Sequence, residues 1–183
     1  AAAWSQVPLR GLQSGRVTVY YAPADERFAR DALAAATAAL PLLEEALGFR
    51  LSKRPTAPIS ITVTRQRAEF DRLVGAPMKT WVQGVALPGN RIVIKTLLPV
   101  VTKKVVAHEL VHVLLEETAS RLGAEPPRWL HEGLAKLAAA DFTEADREVL
   151  GQAALQGNLL ALRELDPAFQ GNREQVALAY AQS

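Results

Sequence analysis

The chain has 183 residues, 49% of them hydrophobic, and a formal net charge of +2. That length suits one domain with a real core, and a near-neutral balance without a long basic run gives no case for nucleic acid. No apolar run approaches the roughly 18 residues of a transmembrane helix, and the absence of cysteine excludes a disulfide framework and thiolate metal ligands. The opening Ala1-Ala2-Ala3 reads either as a mature end left by export processing or as a cut boundary; the expectation taken is an exported domain, periplasmic or extracellular. Arg16 to Tyr21, rich in Val, Thr and Tyr, predicts a strand. Asp25 can cap a helix running towards Gly48, with Phe28, Ala32, Ala36, Leu40, Leu43 and Leu47 on one face. Pro41 should kink or split it. Ile59, Ile61 and Val63 alternate with polar residues as in a half-buried strand, and Glu69 to Val74 predicts a short helix ended by Gly75. Trp81–Ala86 and Arg91–Thr96 then flank a hairpin turn, Leu87-Pro88-Gly89-Asn90.

From Thr102 onward the pattern is helical. Thr102 is the expected N-cap of a helix running to about Arg121 and stopped by Gly123. Pro126-Pro127 opens the next helix, where a missing N–H costs nothing. Thr143 to Gln156 forms another, and one starting near Asn172 reaches Ser183 unfinished, as in a chain cut short or a short variant. The expected class is α+β, a small N-terminal sheet with helices (1–98) followed by a helical half (99–183).

The three histidines of the chain, His108, His112 and His131, fall within 24 residues. His108-Glu109-Leu110-Val111-His112 reads H-E-x-x-H on a helix. Positions four apart lie about 40° apart round the axis and about 6 Å along it, so two imidazoles can grip one ion. Glu109, about 60° round from His112, can hold a metal-bound water but is badly placed to be a ligand. The pattern predicts zinc-assisted hydrolysis with Glu109 as general base. A catalytic zinc takes three protein ligands and keeps a position for water. Glu132, after 19 intervening residues and a turn, is the best third candidate. Its rival reading is a surface ion pair with Lys136, four residues on. His131, about 100° round the helix from Glu132, reads as a partly exposed polar residue or a substrate contact, and Trp129 as packing against the metal helix or a wall of the cleft.

H-E-L-V-H followed by P-R-W-L-H-E-G-L-A resembles the gluzincin metallopeptidases, in particular the bacterial peptidase MA-like group, which pairs H-E-x-x-H with W-x-x-E-G-x-A. The resemblance implies a single catalytic domain over 1–183, one Zn²⁺ held by His108, His112 and Glu132, Glu109 as base, and a peptide or protein substrate. It also implies a tyrosine or histidine donor to the developing oxyanion. Tyr180, in the family-like Ala179-Tyr180-Ala181-Gln182-Ser183, fills that role or is a core tyrosine packed with Val176. Thermolysin-like enzymes carry an acidic residue where this chain has Lys136, so the partner orienting a ligand histidine must come from Glu116, Asp141 or a backbone carbonyl. Aminopeptidase-type members carry Gly-x-Met-x-Asn; the corresponding stretch from Gly84 lacks the methionine, which favours an endopeptidase. Arg91–Lys95 is the expected sheet edge for an extended substrate. The alternative is a zinc-binding domain that has lost catalysis.

Overall fold

The computed structural model describes residues 8–47, 57–123 and 125–183 and is α+β. Five strands form one sheet: β1 (Arg10–Ser14), β2 (Val17–Tyr21), β3 (Ile59–Thr64), β4 (Gly84–Leu87) and β5 (Arg91–Lys95), in the spatial order β1-β2-β3-β5-β4. β2, β3 and β5 run parallel to one another, and β1 and β4 close the two sides antiparallel. Parallel neighbours need a long crossover, and helices supply it. α1 (Glu26–Ala46) joins β2 to β3, and α2 (Arg67–Val74) lies in the connection from β3 towards the β4–β5 hairpin. The core is the alternate face of these strands, Val17, Val19, Ile59, Ile61 and Val63, with Ile92, Val93 and Ile94 buried together on β5. α1 meets the sheet through Ala29, Ala32, Ala36, Leu40 and Leu43, all buried and spaced three or four apart.

Several expectations change at this level. β1 was not foreseen. Its residues do not alternate cleanly, and it exists by pairing with β2 across the tight turn at Gly15, φ +55°. Asp25 sits at the N-cap position of α1 but makes no cap bond; it is buried and accepts from Arg65 Nε and Nη2 at 3.0 and 2.6 Å. α1 runs through Pro41 as one helix, and Gly48 lies outside the described residues. Among the described residues the edge strands are β1 and β4, and Arg91–Lys95 is not an edge. The hairpin folds β4 onto one side of β5 while β3 holds the other. The turn that does this has Gly89 at φ +79° and Asn90 at φ +58°, conformations that glycine and asparagine adopt most readily.

α3 (Pro99–Leu122) begins three residues before the expected cap. Thr102 lies inside its first turn, its amide donating to Leu98 O at 2.8 Å and its hydroxyl to the same oxygen at 3.1 Å. Proline at the first position suits a helix start. The helical part continues with α4 (Arg128–Ala139), α5 (Glu144–Gln156), α6 (Leu162–Ala168) and α7 (Arg173–Gln182). α5 and α7 start with capping boxes, Thr143 with Asp146 and Asn172 with Gln175. α7 packs on α4, α5 and α6. The chain divides into two compact units, 1–113 and 114–183, with the division inside α3.

Candidate metal centre

α3 is buried round most of its girth. Val106, Leu110, Val111, Val113 and Leu114 are all at 1% exposure or less. Polar groups in such a helix are costly without a use, yet His108, Glu109 and His112 stand together in it. The two imidazole centroids are 4.9 Å apart with ring planes at 73°, as expected for residues one turn apart on a shared face.

Glu109 is buried, and the strand beside it explains how it fits. A Cβ placed on Gly84, the first residue of edge strand β4, would stand 2.9 Å from Glu109 Oε1, 3.0 Å from its Cγ and 2.6 Å from Val105 Cγ1. Only glycine lets this strand pass so close to the carboxylate.

Glu132 lies on α4, whose start is unusual. Its N-cap position is Pro127, which makes no side-chain cap bond. The open amides are taken from far along the chain instead: Asp166 accepts from Arg128 N at 3.2 Å and Trp129 N at 2.9 Å. Trp129 packs with Leu160 and Tyr180 on the buried cluster Ala168, Phe169 and Ala179. Glu132 is buried and its Oε1 lies 3.6 Å from Arg128 Nε.

Lys136, the rival partner for Glu132, is engaged elsewhere. Its Nζ donates to Asp146 Oδ1 at 2.7 Å and to the carbonyl oxygen of Tyr180 at 2.9 Å. Burial alone would raise the Asp146 carboxyl, but hydrogen bonds from Lys136 and Thr143 outweigh it and hold the group below its ordinary value. His131 is half-buried, and desolvation lowers its pKa against the pull of Glu132, Glu116 and Asp166. Tyr180 does not match either expectation simply. Its ring packs edge-on against Phe169, centroids 5.0 Å apart, while its hydroxyl accepts from Arg128 Nη2 at 3.3 Å. Arg128 is the residue that sequence reasoning missed; its place directly before Trp129, one helical turn ahead of Glu132, was the available signal.

His108, His112 and Glu132 each offer one ligand atom, and these three atoms all lie within 4.8 Å of one another. Donors on a tetrahedral zinc with bonds of about 2.0–2.2 Å stand roughly 3.3–3.6 Å apart, the same order as the separation found. Two imidazoles and a carboxylate without thiolate are also the donor set of catalytic zinc sites that keep a water. The residues fit the metal that the motif implies.

No protein of curated function matches the chain, and no solved structure does. The family model described as Peptidase MA superfamily matches residues 35–183, which take in β3, β4, β5, α3 and the whole helical part. The membership supports a metallopeptidase-type function, and on that match the chain belongs to the Peptidase MA superfamily.

Proposed function

We propose that this chain is a zinc-dependent endopeptidase in which His108, His112 and Glu132 hold the metal and Glu109 is the general base. The observation that carries the reading is the gathering of those three ligand atoms, with a second carboxylate, Glu109, one residue from His108. Zinc, when bound, polarises the substrate carbonyl and brings the pKa of a bound water to about 7. Glu109 takes a proton from the attacking water on its carboxylate and hands it to the leaving amine, acting first as base and then as acid. Its burial keeps bulk water from competing for that proton. Tyr180 donates a hydrogen bond where negative charge develops on the substrate oxygen. The substrate adds as an extended strand along β4, whose outer side is the sheet edge and whose Gly84 adjoins Glu109. Main-chain pairing of this kind binds peptides with little sequence preference.

Glu109→Gln tests the reading. Zinc content should be unchanged by metal analysis, and peptide hydrolysis should fall by about 10²–10⁴-fold, the usual weight of a general base. Loss of zinc would make Glu109 a ligand or a prop. A zinc-loaded wild-type protein that cleaves no peptide would favour the non-catalytic binding domain.

A further inference from the structure

Arg128 makes more contacts than its half-exposed place suggests. Its amide donates to Asp166, its Nε lies 3.6 Å from Glu132 Oε1, and its Nη2 donates to the Tyr180 hydroxyl at 3.3 Å. The guanidinium carbon stands 4.6 Å from the centroid of the Phe169 ring. With the Arg128 side chain 48% exposed, an ion pair of this kind adds little to stability. Its consequence is geometric. A guanidinium is a rigid planar fork, and the aromatic ring beneath it restricts how that fork can lie. Two of its arms then reach a candidate metal ligand and a phenol.

Tyr180 is gripped from three sides. Arg128 takes the hydroxyl, Lys136 donates to the carbonyl, and Phe169 meets the ring at 85°. Arg128 and Lys136 lie four residues on either side of Glu132, so all three fall on one stripe of α4. A hydroxyl that accepts from a cation uses a lone pair and retains its own proton as a donor. Polarisation by the cation makes that donor stronger.

We propose that Arg128 is a positioning residue: it holds the Tyr180 phenol at a fixed offset from Glu132, oriented to donate a hydrogen bond to the substrate oxygen. The proposal rests on the peptidase reading and on Tyr180 as the donor within it.

The test is a double-mutant cycle with Arg128→Met and Tyr180→Phe, read by kcat, KM, zinc affinity and the spectrum of the metal-free protein. Tyr180→Phe should lower kcat by about 10²–10³-fold with KM and zinc affinity nearly unchanged. Arg128→Met should lower kcat at least about tenfold with the same pattern, and the double variant should be no worse than Tyr180→Phe. With three tyrosines in the chain, the ring resonance of Tyr180 can be identified by its loss in the Phe variant, and it should move in metal-free Arg128→Met. Should the methionine variant fail to fold, Arg128→Lys serves. An ammonium cannot lie flat on Phe169 and reach both partners, so kcat should fall with the fold intact by circular dichroism. Losses that multiply in the double variant, or an unmoved Tyr180 resonance beside normal peptidase activity, overturn the role of Arg128 alone. Normal turnover in Tyr180→Phe overturns the donor and the proposal with it. A zinc-loaded wild type inert towards peptides overturns the peptidase reading as well.

Discussion

Glu109 and Glu132 are both helical carboxylates at 7% and 8% exposure, yet their surroundings differ in kind. Glu109 lies in a helix walled by valines and leucines, against a strand that comes close because Gly84 has no side chain. Glu132 lies on a helix whose same stripe carries two cations, Arg128 and Lys136, each tied to other groups in the helical unit. A side-chain-free backbone adjoins the first carboxylate, and a cation of the same stripe adjoins the second. In the proposed roles, a group that moves protons gains from exclusion of bulk water. A ligand needs its orientation fixed by neighbours.

The contrast can be broken from either side. The largest effect should come from Glu132→Ala. Outer-shell changes cost about 10–100-fold in metal affinity, so loss of a direct ligand should exceed about 10²-fold, read by competition with a chromophoric chelator. Unchanged affinity would remove Glu132 from the site and leave the network without an object. Next comes Gly84→Ala. The added methyl must displace the carboxylate or Val105, and a shift near 1 Å can cost about 10²-fold in rate. The zinc content should stay constant. A variant with normal kcat would show that the close approach does not matter.

Lys136→Met addresses the network as a stabilising device. It removes a charged donor from Asp146 and from the Tyr180 carbonyl, and hydrogen bonds to charged groups contribute about 1.5–3 kcal/mol, measurable as a fall in denaturation midpoint. The smallest effect concerns acid. Because the folded protein holds the Asp146 carboxyl below its ordinary value, its stabilisation is complete above the unfolded pKa of about 3.9 and is lost as pH falls through the lower folded value. Asp146→Asn should therefore be less stable than wild type near neutrality, with the difference shrinking below about pH 4 in denaturant titrations. A difference that grows in acid would contradict the direction of the shift.

Much of this was legible in the chain because it is local. H-E-x-x-H, the helix starts at Thr143 and Asn172, the prolines before α4 and the Leu87–Asn90 turn each act over a few residues, and the structure carries all of them. The misses depend on distant partners. Asp25 looks like a cap until Arg65, forty residues on, claims it. Which strand of the hairpin is the edge depends on where β3 docks, and the pattern of β5 cannot show that. Arg128 looks like an ordinary exposed residue until Phe169 and Tyr180 come to it. Thr102 has the side chain of a cap but stands inside the first turn, because Pro99 opens the helix before it.

The cap that Asp166 places on α4 bears on how the helical unit opens and closes. The first-turn amides of α4 are protected by a carboxylate on α6, so the two helices share a cooperative unit of opening. Amide exchange at Arg128 and Trp129 should follow the opening of α6 rather than local fraying. During synthesis, the helix bearing Glu132 lacks this cap until residue 166 has been made. Completion of α4 is thereby tied to a contact 37 or 38 residues apart, and non-local closure of that kind forms late.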